Sequence, residues 1–356
     1  MKLECTRNRS VELMDILKKI AKQFQISADI KSIRRWGSGH INKTYKVECE
    51  SGRNYILQKI NTDVFTGPDA LMDNIAKVTS HILQQQEFSK LVVPLIPTKV
   101  GDNWIEDNSG VWRMHNFVEE SSSYEVADSD LICTKAGRSY GAFLSALNNF
   151  PVDDLHTIIP KFHDIRFRIQ QFEESLINAE KDRLEQSSKE IVFIKQNNPQ
   201  FVEMLDQAKR EYPIRVTHND TKLNNVLIGK DEIGTVIDLD TVMPGYAFFD
   251  VGDALRSIAI SAKEDDTNID SIEMSRSKLN AFLDGYLSSS EGLLSKKEKE
   301  MLPKSGAYMA FIMALRFLTD FLNGDIYYQT EYPDHNLIRA KNQLRVCTLF
   351  LSNDVS

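Results

Sequence analysis

The residues whose types and spacing could do chemistry lie between positions 216 and 245. Asp220 and Asn225 are five positions apart in a polar segment between apolar residues, and Asp238 interrupts an apolar run. A carboxylate in such a run is costly to bury without a cation or hydrogen-bond donors. A carboxylate that accepts a hydroxyl proton, with a second carboxylate and an amide oxygen on a hard metal ion, is typical of phosphoryl transfer from Mg-ATP. Asp220 is therefore a candidate for the first role, and Asn225 and Asp238 are candidate Mg²⁺ ligands. For an isolated Asp-x-x-x-x-Asn the alternative is a surface turn in which both side chains cap their own backbone.

Two β-like runs must position these groups. Residues 216–228 and 235–245 are rich in apolar and β-branched residues, and a polar turn with two glycines separates them. This pattern predicts a hairpin with charged groups at its rim. Side chains two positions apart share one face of a strand. Asp240 should therefore point the same way as Asp238, as a second metal ligand or a substrate contact.

The order His-x-Asp-x-x-x-x-Asn followed by Ile-Asp resembles the catalytic loop and metal-binding aspartate of the protein-kinase-like superfamily, in its aminoglycoside phosphotransferase and choline kinase branch. Longer strings resemble those of N-acetylhexosamine 1-kinases and follow their order across nearly the whole chain. These strings are Gly37–Thr44, His218–Val226, Ile237–Gly245, Asp250–Arg256 and Leu315–Asp325. The resemblance implies ATP- and Mg²⁺-dependent phosphorylation of the anomeric hydroxyl of N-acetylglucosamine or N-acetylgalactosamine, giving the sugar 1-phosphate.

The resemblance also implies roles for single residues of the second half. Asp220 orients the acceptor hydroxyl and takes its proton. Lys222 is either a surface lysine or a group that assists the moving γ-phosphoryl. His218 and Asp250 brace the catalytic loop, with Asp250 accepting hydrogen bonds from it.

The first third of the chain should form a sheet. Short β-like runs occupy residues 30–36, 44–49, 55–60, 92–100, 104–106 and 111–118, after a helix near 10–24 and with another helix inserted at 68–86. They predict an antiparallel five-stranded sheet with one helix, the small lobe of the kinase-like fold. From residue 131 onward the pattern is mostly helical. It predicts helices over 131–147, 163–184, 191–196 and 201–212 before the catalytic hairpin, and over 251–262, 276–287, 302–322 and 335–350 after it.

The predicted fold class is therefore α+β, a bilobal protein-kinase-like fold. Residues 1–118 would be a nucleotide-binding lobe with a leading helix. Residues 119–356 would be a helical lobe that carries the catalytic hairpin and the acceptor site. A polar run after residue 119 is the predicted hinge between them.

A glycine-containing turn between the first two runs is a candidate phosphate-binding loop. Its residues Gly37, Ser38 and Gly39 could bring bare backbone amides close to the phosphates of ATP. The turn lacks a third glycine, because Asn42 stands at that position, and alone it fits an ordinary hairpin turn better. By the resemblance, His40 faces the sugar or the phosphate.

Lys59 ends the third β-like run. The resemblance makes it the cation that bridges the α- and β-phosphates, where a solvent-facing strand lysine is the alternative. Asp73, on the inserted helix, is its candidate acidic partner, although a glutamate is usual there. The adenine ring would bind backbone amides around Asn116 to Val118.

The acceptor should bind in the helical lobe. A hexosamine offers hydroxyl and acetamido groups, which call for bidentate donors and carboxylates beside an apolar platform. Arg316 and Asp320 are four apart on one helical face and supply such a pair, with Tyr327 nearby as a stacking residue. An ordinary helix salt bridge is the alternative for Arg316 and Asp320.

Composition narrows the possible partners and the cell compartment. The 356-residue chain has a net charge of -8, which argues against nucleic acid as a partner. Its four cysteines lack metal-ligand spacing, so neither zinc nor disulfides are predicted. It has no signal-like N-terminus and no run of about eighteen apolar residues, so a cytoplasmic protein without a membrane partner is expected. The oligomeric state is left open, with a monomer favoured.

Other functions remain open at this point. A second small-molecule kinase class, with an aminoglycoside, choline or homoserine acceptor, would use the same loop. A non-catalytic nucleotide-binding regulator would have been indicated by loss of Asp220, Asn225 or Asp238, and all three are present. A protein kinase is disfavoured because the loop lacks the His-Arg-Asp arginine and no Ala-Pro-Glu segment follows it.

Overall fold

The protein is described by a computed structural model that covers residues 13–37 and 41–352. The chain forms two compact units, Met1–Glu120 and Ser121–Ser356. The boundary lies two residues beyond the predicted one. The fold class is α+β as predicted, because a five-stranded antiparallel sheet occupies the first unit and helices dominate the second.

The first unit contains helix α1 over residues 13–21 and a sheet in the order β1-β2-β3-β5-β4, in which every neighbouring pair is antiparallel. Its strands and second helix are β1 (Ile30–Arg35), β2 (Lys43–Cys49), β3 (Asn54–Ile60), α2 (Pro68–Leu83), β4 (Ile105–Asp107) and β5 (Gly110–Asn116). Apolar side chains of α1, among them Leu17 and Ile20, form one buried cluster with Tyr55, Leu57 and Trp112 of the sheet. Helix α1 therefore covers one face of the sheet.

One predicted strand is wrong. Residues 92–100 form only isolated bridges, such as Leu95 opposite His115, with Ile96 N donating to Met114 O of β5 at 2.7 Å. The segment contains Pro94 and Pro97. Proline has no N–H to donate to a ladder, so this stretch follows the sheet without joining it as a strand.

The second unit is built from helices around two short β-ribbons. Its helices are α3 (Asp130–Ala146), α4 (Ile165–Asn178), α5 (Lys181–Gln186), α6 (Ser188–Glu211), α7 (Ala247–Ile258), α8 (Arg276–Ser289), α9 (Lys296–Leu322) and α10 (His335–Ser352). Its strands are β6 (Arg215–Thr217), β7 (Val226–Leu227), β8 (Thr235–Val236) and β9 (Met243–Gly245). Helix α9 is long and apolar enough to span a membrane, but 89% of its most apolar window is buried inside the protein, as in the core helix of a globular fold.

Two predicted helices differ in extent. The predicted helix over 163–184 is broken, because Ala179 is extended with a ψ of 146° between α4 and α5. The two helices predicted over 191–196 and 201–212 are one continuous helix, α6, despite Pro199 in its interior. Ile194 and Phe201, on either side of the proline, are fully buried. Their burial outweighs the cost of the missing backbone hydrogen bond.

Candidate active site

The catalytic segment is held by two nested ribbons. In the outer ribbon β6 pairs with β9, and in the inner ribbon β7 pairs with β8. Asn225 directly precedes β7, and its carbonyl accepts the N–H of Ile237, the residue after β8, at 3.0 Å. The inner ribbon therefore brings Asn225 and Asp238 to the same end of the hairpin.

The second predicted strand ends earlier than expected. Asp238 has a left-handed backbone with a φ of 61°, and Leu239–Thr241 form a 3₁₀ turn. The prediction that Asp238 and Asp240 share a strand face is therefore wrong, because no strand runs through them. Asp240 is buried, at 2% exposure, whereas Asp238 is exposed.

Asp250 of α7 fixes the catalytic loop through hydrogen bonds. Its carboxylate accepts the backbone N–H of His218 at 2.9 Å and of Asn219 at 2.7 Å, and its own carbonyl accepts the hydroxyl of Thr221. Asn219 is left-handed, with a φ of 63°, so these bonds stabilise a conformation that a non-glycine residue rarely adopts. Burial raises the pKa of Asp250 to about 7 against the lowering effect of the two N–H bonds.

His218 links the loop to the end of β8. Its Nε2 lies 2.9 Å from the carbonyl of Ile237, and its Nδ1 lies 3.3 Å from the N–H of Asp220. A ring that donates through Nε2 and accepts at Nδ1 is neutral. Burial lowers the pKa of His218, which agrees with that form.

Both carboxylate oxygens of Asp220 have partners. Oδ2 accepts a hydrogen bond from Asn225 Nδ2 at 3.0 Å, and Oδ1 lies 3.1 Å from Lys222 Nζ. Burial raises the pKa of Asp220, but Lys222 and His218 outweigh it, so the net pKa is lowered. The carboxylate is therefore ionised at neutral pH and able to accept a proton or a hydrogen bond.

The donor set fits a Mg²⁺ ion that is shared with a nucleotide. Asn225 donates through Nδ2 to both the backbone carbonyl and the carboxylate of Asp220, which leaves its Oδ1 to face a cation. Asp238 supplies a carboxylate at the same hairpin end. Among the described residues no group of three or more His, Cys, Asp or Glu could hold a metal alone. Mg²⁺ commonly binds one or two protein oxygens and completes its shell with phosphates and water.

A cationic wall, defined here as Arg168, Arg316 and Tyr328, lies beside the catalytic loop. His163 connects the two, because its Nε2 is 3.0 Å from Asn219 O and its ring is 4.3 Å from that of Phe162. The guanidinium of Arg316 lies 4.9 Å from the Phe162 ring centroid and 5.5 Å from that of Tyr328. Arg316 is therefore connected to the loop that carries Asp220 through two rings, those of Phe162 and His163.

The two arginines of this wall lack acidic partners. Arg168 donates to the carbonyl of Phe162 and to Gln171 Oε1, and Arg316 donates to Met313 Sδ. Neither forms an ion pair with a carboxylate in the described ranges. Burial, and then Arg316, lowers the pKa of Arg168 to about 10. Burial also lowers the pKa of His163 to about 3, with both arginines contributing, so His163 is neutral.

Asp320 does not form a salt bridge with Arg316, which was the alternative to a sugar contact for these two residues. Its carboxylate accepts the backbone N–H groups of Ile326, Tyr327 and Tyr328 at 3.0, 2.8 and 2.9 Å, and the side chain of Asn336 at 2.9 Å. Both oxygens are thus used within the protein, and the predicted contacts of Arg316 and Asp320 with an acceptor stay predictions. Tyr327 is 57% exposed, with its ring 4.8 Å from that of Tyr328, and remains a candidate contact.

In the first unit, the candidate phosphate loop is described only in part. Gly37 has a φ of 73°, a conformation that favours glycine, and nothing would contact a Cβ there. Ser38, Gly39 and His40 lie outside the described residues, so their predicted contacts with the phosphates and the sugar stay predictions. The chain therefore turns sharply after β1, as a phosphate loop or a plain hairpin turn would.

Lys59 is not paired with Asp73. Its side chain packs along Gly110, and Nζ lies 5.8 Å from the ring centroid of Trp112, on the sheet face that α1 covers. Asp73 instead contacts Lys77 of the same helix at 2.6 Å. Side chains alternate along a strand, so Gln58 faces the opposite side, where it bonds Arg113. The predicted pairing with Asp73 is therefore wrong, and the predicted contact of Lys59 with the α- and β-phosphates stays a prediction.

The backbone near the end of β5 is arranged as an adenine site would need. Tyr55 pairs with Asn116, and Phe117 N donates to Asn54 O at 3.0 Å. Amide directions alternate along an extended chain, so the amides of Asn116 and Val118 point away from β3. Their predicted contact with adenine stays a prediction.

A family comparison agrees with this chemistry. Residues 32–276 match the model of the phosphotransferase enzyme family, which includes the aminoglycoside phosphotransferases. The match spans the sheet, both ribbons and α7. The chain belongs to the phosphotransferase enzyme family. The phosphotransferase carries the residues of the predicted catalytic loop at one end of its inner ribbon.

Solved structures support the fold. The microcompartment-associated aminopropanol kinase is 17% identical with a TM-score of 0.65, over 96% of this chain and 98% of that one. A choline kinase from Cryptosporidium parvum Iowa II is 12% identical with a TM-score of 0.58, over 96% of both chains. The amicoumacin kinase hAmiN, solved in complex with AMP-PNP, Ca²⁺ and Ami, is 14% identical with a TM-score of 0.58, over 96% of both chains. At these identities the likeness concerns the fold alone.

Several residues of this phosphotransferase site had no assigned role in the sequence. Asp253 and Arg256 of α7 are buried and form an ion pair three positions apart, with Nη2 2.6 Å from Oδ1. The sequence signal that could have identified this pair is two oppositely charged residues, three positions apart, in an otherwise apolar helical segment. Arg168 and His163 carried no such signal, because neither lies in a recognisable pattern and only tertiary packing brings them to the loop.

Proposed function

We propose that this phosphotransferase transfers the γ-phosphoryl group of ATP to the anomeric hydroxyl of an N-acetylhexosamine, N-acetylglucosamine or N-acetylgalactosamine, with Mg²⁺ as cofactor. The phosphotransferase family and the catalytic loop support a kinase reaction. The hAmiN structure, with AMP-PNP bound, supports nucleotide use on this fold. The sugar acceptor rests on the resemblance of the loop strings and on the charge of the cationic wall.

The cationic wall carries the choice of acceptor. Aminopropanol, choline and aminoglycosides are positively charged at neutral pH, and each would meet two guanidinium groups that lack acidic partners. Like-charge juxtaposition at a binding site costs several kcal/mol, about enough to exclude a cationic ligand. A neutral N-acetylhexosamine avoids that repulsion, and its hydroxyl and acetamido oxygens accept hydrogen bonds from Arg316. A neutral acceptor therefore fits this wall better than the cationic alternatives.

The roles of the loop residues follow from their contacts. Asp220 is ionised and lies beside Asn225, at the hairpin end that also carries Asp238. It orients the acceptor hydroxyl and receives its proton as the phosphoryl group moves. Asn225 Oδ1 and the Asp238 carboxylate would hold Mg²⁺, which neutralises charge on the β- and γ-phosphates when bound. Lys222 supplies a cation beside Asp220 for the transferring group.

An acceptor panel tests the proposal. The purified protein is incubated with Mg-ATP and, separately, N-acetylglucosamine, N-acetylgalactosamine, glucosamine, aminopropanol, choline and kanamycin, and ADP release is followed. Phosphorus NMR of the product should give a signal coupled to the anomeric proton. Turnover of a cationic acceptor with none of the N-acetylhexosamines would refute the sugar assignment and keep the kinase assignment.

Arg168 offers a variant that separates the charge argument from the family resemblance. Arg168→Gln removes one guanidinium of the wall and keeps hydrogen-bonding capacity. We expect discrimination between N-acetylglucosamine and glucosamine, as a ratio of kcat/KM values, to fall by about tenfold. Arg166→Gln, on the exposed side of the same helix and paired with Asp206, is the matched control and should leave the ratio unchanged.

A further inference from the structure

Asp253 holds a buried carboxylate oxygen that the reaction as described does not use. The side chain is 2% exposed, and its Oδ1 accepts both Arg256 Nε at 2.8 Å and Arg256 Nη2 at 2.6 Å. Its Oδ2 has no hydrogen-bond partner among the described residues. Arginine and carboxylate usually meet through two oxygens, so an arrangement on one oxygen leaves the other available. A buried polar atom without a partner requires an explanation.

The carboxylate of Asp220, in contrast to that of Asp253, has no oxygen without a partner. Both of its oxygens are occupied, by Asn225 and by Lys222, yet an acceptor hydroxyl must reach one of them. Asn225 Nδ2 also holds the Asp220 backbone carbonyl at 2.9 Å, so this amide is fixed from two sides. Lys222 is a long side chain that is 33% exposed. Lys222 is therefore the group that an incoming hydroxyl displaces.

The backbone of Lys222 stays in place when its side chain moves. Its carbonyl accepts the hydroxyl of Tyr140 at 2.8 Å. The next residue, Leu223, contacts Ser257 of α7 at 3.4 Å, and Ser257 Oγ lies 3.5 Å from the carbonyl of Asp253. Lys222 thus sits beside the turn of α7 that carries Asp253. The Lys222 ammonium also lies in the field of Asp220, Glu264 and Asp253, which together raise its pKa against the opposing effect of burial.

We propose that Asp253 is a positioning residue for Lys222. When the acceptor hydroxyl binds Asp220 Oδ1, the Lys222 ammonium moves to Asp253 Oδ2 and remains beside the transferring phosphoryl group. No bond is made or broken in this step, and one hydrogen-bonded ion pair replaces another. The inference rests on the proposed function only in that a hydroxyl acceptor binds Asp220, and it holds for whichever acceptor the enzyme phosphorylates.

A double-mutant cycle tests the coupling. Asp253→Asn should lower kcat by about 10- to 100-fold with the KM for ATP unchanged, because Lys222 loses its second partner while the nucleotide contacts stay. Lys222→Met should lower kcat at least as much. The double variant should be no slower than Lys222→Met alone, since Asp253 acts through Lys222. If the two losses multiply, Asp253 serves only to anchor Arg256 and the proposal is overturned.

Glu264→Gln is the matched control. Glu264 shares the neighbours of Asp253, because its carboxylate lies 3.4 Å from Arg256 Nη1 and in the field of Lys222. Unlike Asp253, it has no buried oxygen that lacks a hydrogen-bond partner. Its effect on kcat should multiply with that of Lys222→Met. If Glu264, and not Asp253, is coupled to Lys222, then Glu264 is the carboxylate that receives the displaced Lys222 ammonium, and the proposal is overturned.

A structure of the unaltered enzyme provides a test that needs no variant. Crystals with ADP, Mg²⁺ and the acceptor that the wild type phosphorylates should place Lys222 Nζ within hydrogen-bond distance of Asp253 Oδ2. Nζ still on Asp220 Oδ1 beside a bound acceptor hydroxyl would overturn the proposal. If N-acetylhexosamines fail in the acceptor panel, another acceptor takes their place in the crystal. A failed sugar assignment is thereby distinguished from a failed Asp253 assignment.

Discussion

His163→Phe gives a stability change whose sign depends on pH. His163 is buried between Phe162 and Phe249, with ring centroids 4.3 and 5.3 Å away, so a phenyl ring fits the same space. The substitution removes the Nε2 contact with Asn219 O. A buried carbonyl that loses its donor costs about 1 to 3 kcal/mol, so the variant should be less stable at pH 7.

Below pH 6.5 the difference in stability between the wild type and His163→Phe becomes smaller and then reverses. Burial lowers the pKa of His163 to about 3 from 6.5, so the unfolded chain takes up a proton that the folded protein does not. The stability that neutral His163 provides is present above pH 6.5 and is lost as pH falls toward 3. The loss is about 1.4 kcal/mol per pH unit, or about 2.7 kcal/mol between pH 6.5 and 4.5, and the phenylalanine variant escapes it. The wild type and His163→Phe should therefore have equal free energies of unfolding at about pH 5.

Urea titrations of both proteins at several pH values between 7 and 4.5 measure this difference in the free energy of unfolding. The exposed His156 provides the matched control, and His156→Gln should keep a constant difference from the wild type. A constant difference between His163→Phe and the wild type over the same range would refute the reasoning. It would mean that His163 is not held neutral by its surroundings.

Three further predictions concern activity. Asp220→Asn should lower kcat by about 10²- to 10⁴-fold and leave ADP affinity, measured by calorimetry, unchanged, and an equal loss of both would contradict its role. Asp320→Asn places an amide N–H₂ against the backbone N–H groups of the loop after α9, so the KM for the acceptor should rise by about tenfold with that for ATP unchanged. Lys59→Met should leave the KM for ATP within about twofold, because Lys59 lies on the α1 face of the sheet, and a large rise would restore its predicted phosphate contact.

The parts of the fold that the sequence predicts are those with local signals. Alternation and turn residues identify all five strands near their observed bounds and add one run that is not a strand, and helical periodicity identifies most helices of the second unit. The errors have tertiary causes. The sequence predicts separate helices on the two sides of Pro199, but burial of Ile194 and Phe201 makes them one helix, α6. Residues 92–100 look like a strand, and their prolines keep them out of the ladder.

The same division applies to the site. The loop from His218 to Asn225 is recognisable because its spacing is local, whereas Lys59 was placed by its order along the chain. A strand has a period of two, so an assignment one position off moves a side chain to the opposite face. Gln58 and Lys59 illustrate this, since Gln58 bonds Arg113 on one face and Lys59 lies over Trp112 on the other.

Arg316 and Asp320 show why spacing alone cannot separate a ligand contact from a support. Both lie on one face of α9, and an ion pair between them is the simplest reading of a four-residue interval. The loop after α9 brings three backbone N–H groups to Asp320, and these use both of its oxygens. Arg316 is thereby left without a carboxylate and stacks on Phe162 and Tyr328. The positive charge of Arg316, on which the proposal of an uncharged acceptor rests, is thus left without a carboxylate because of where the loop after α9 folds.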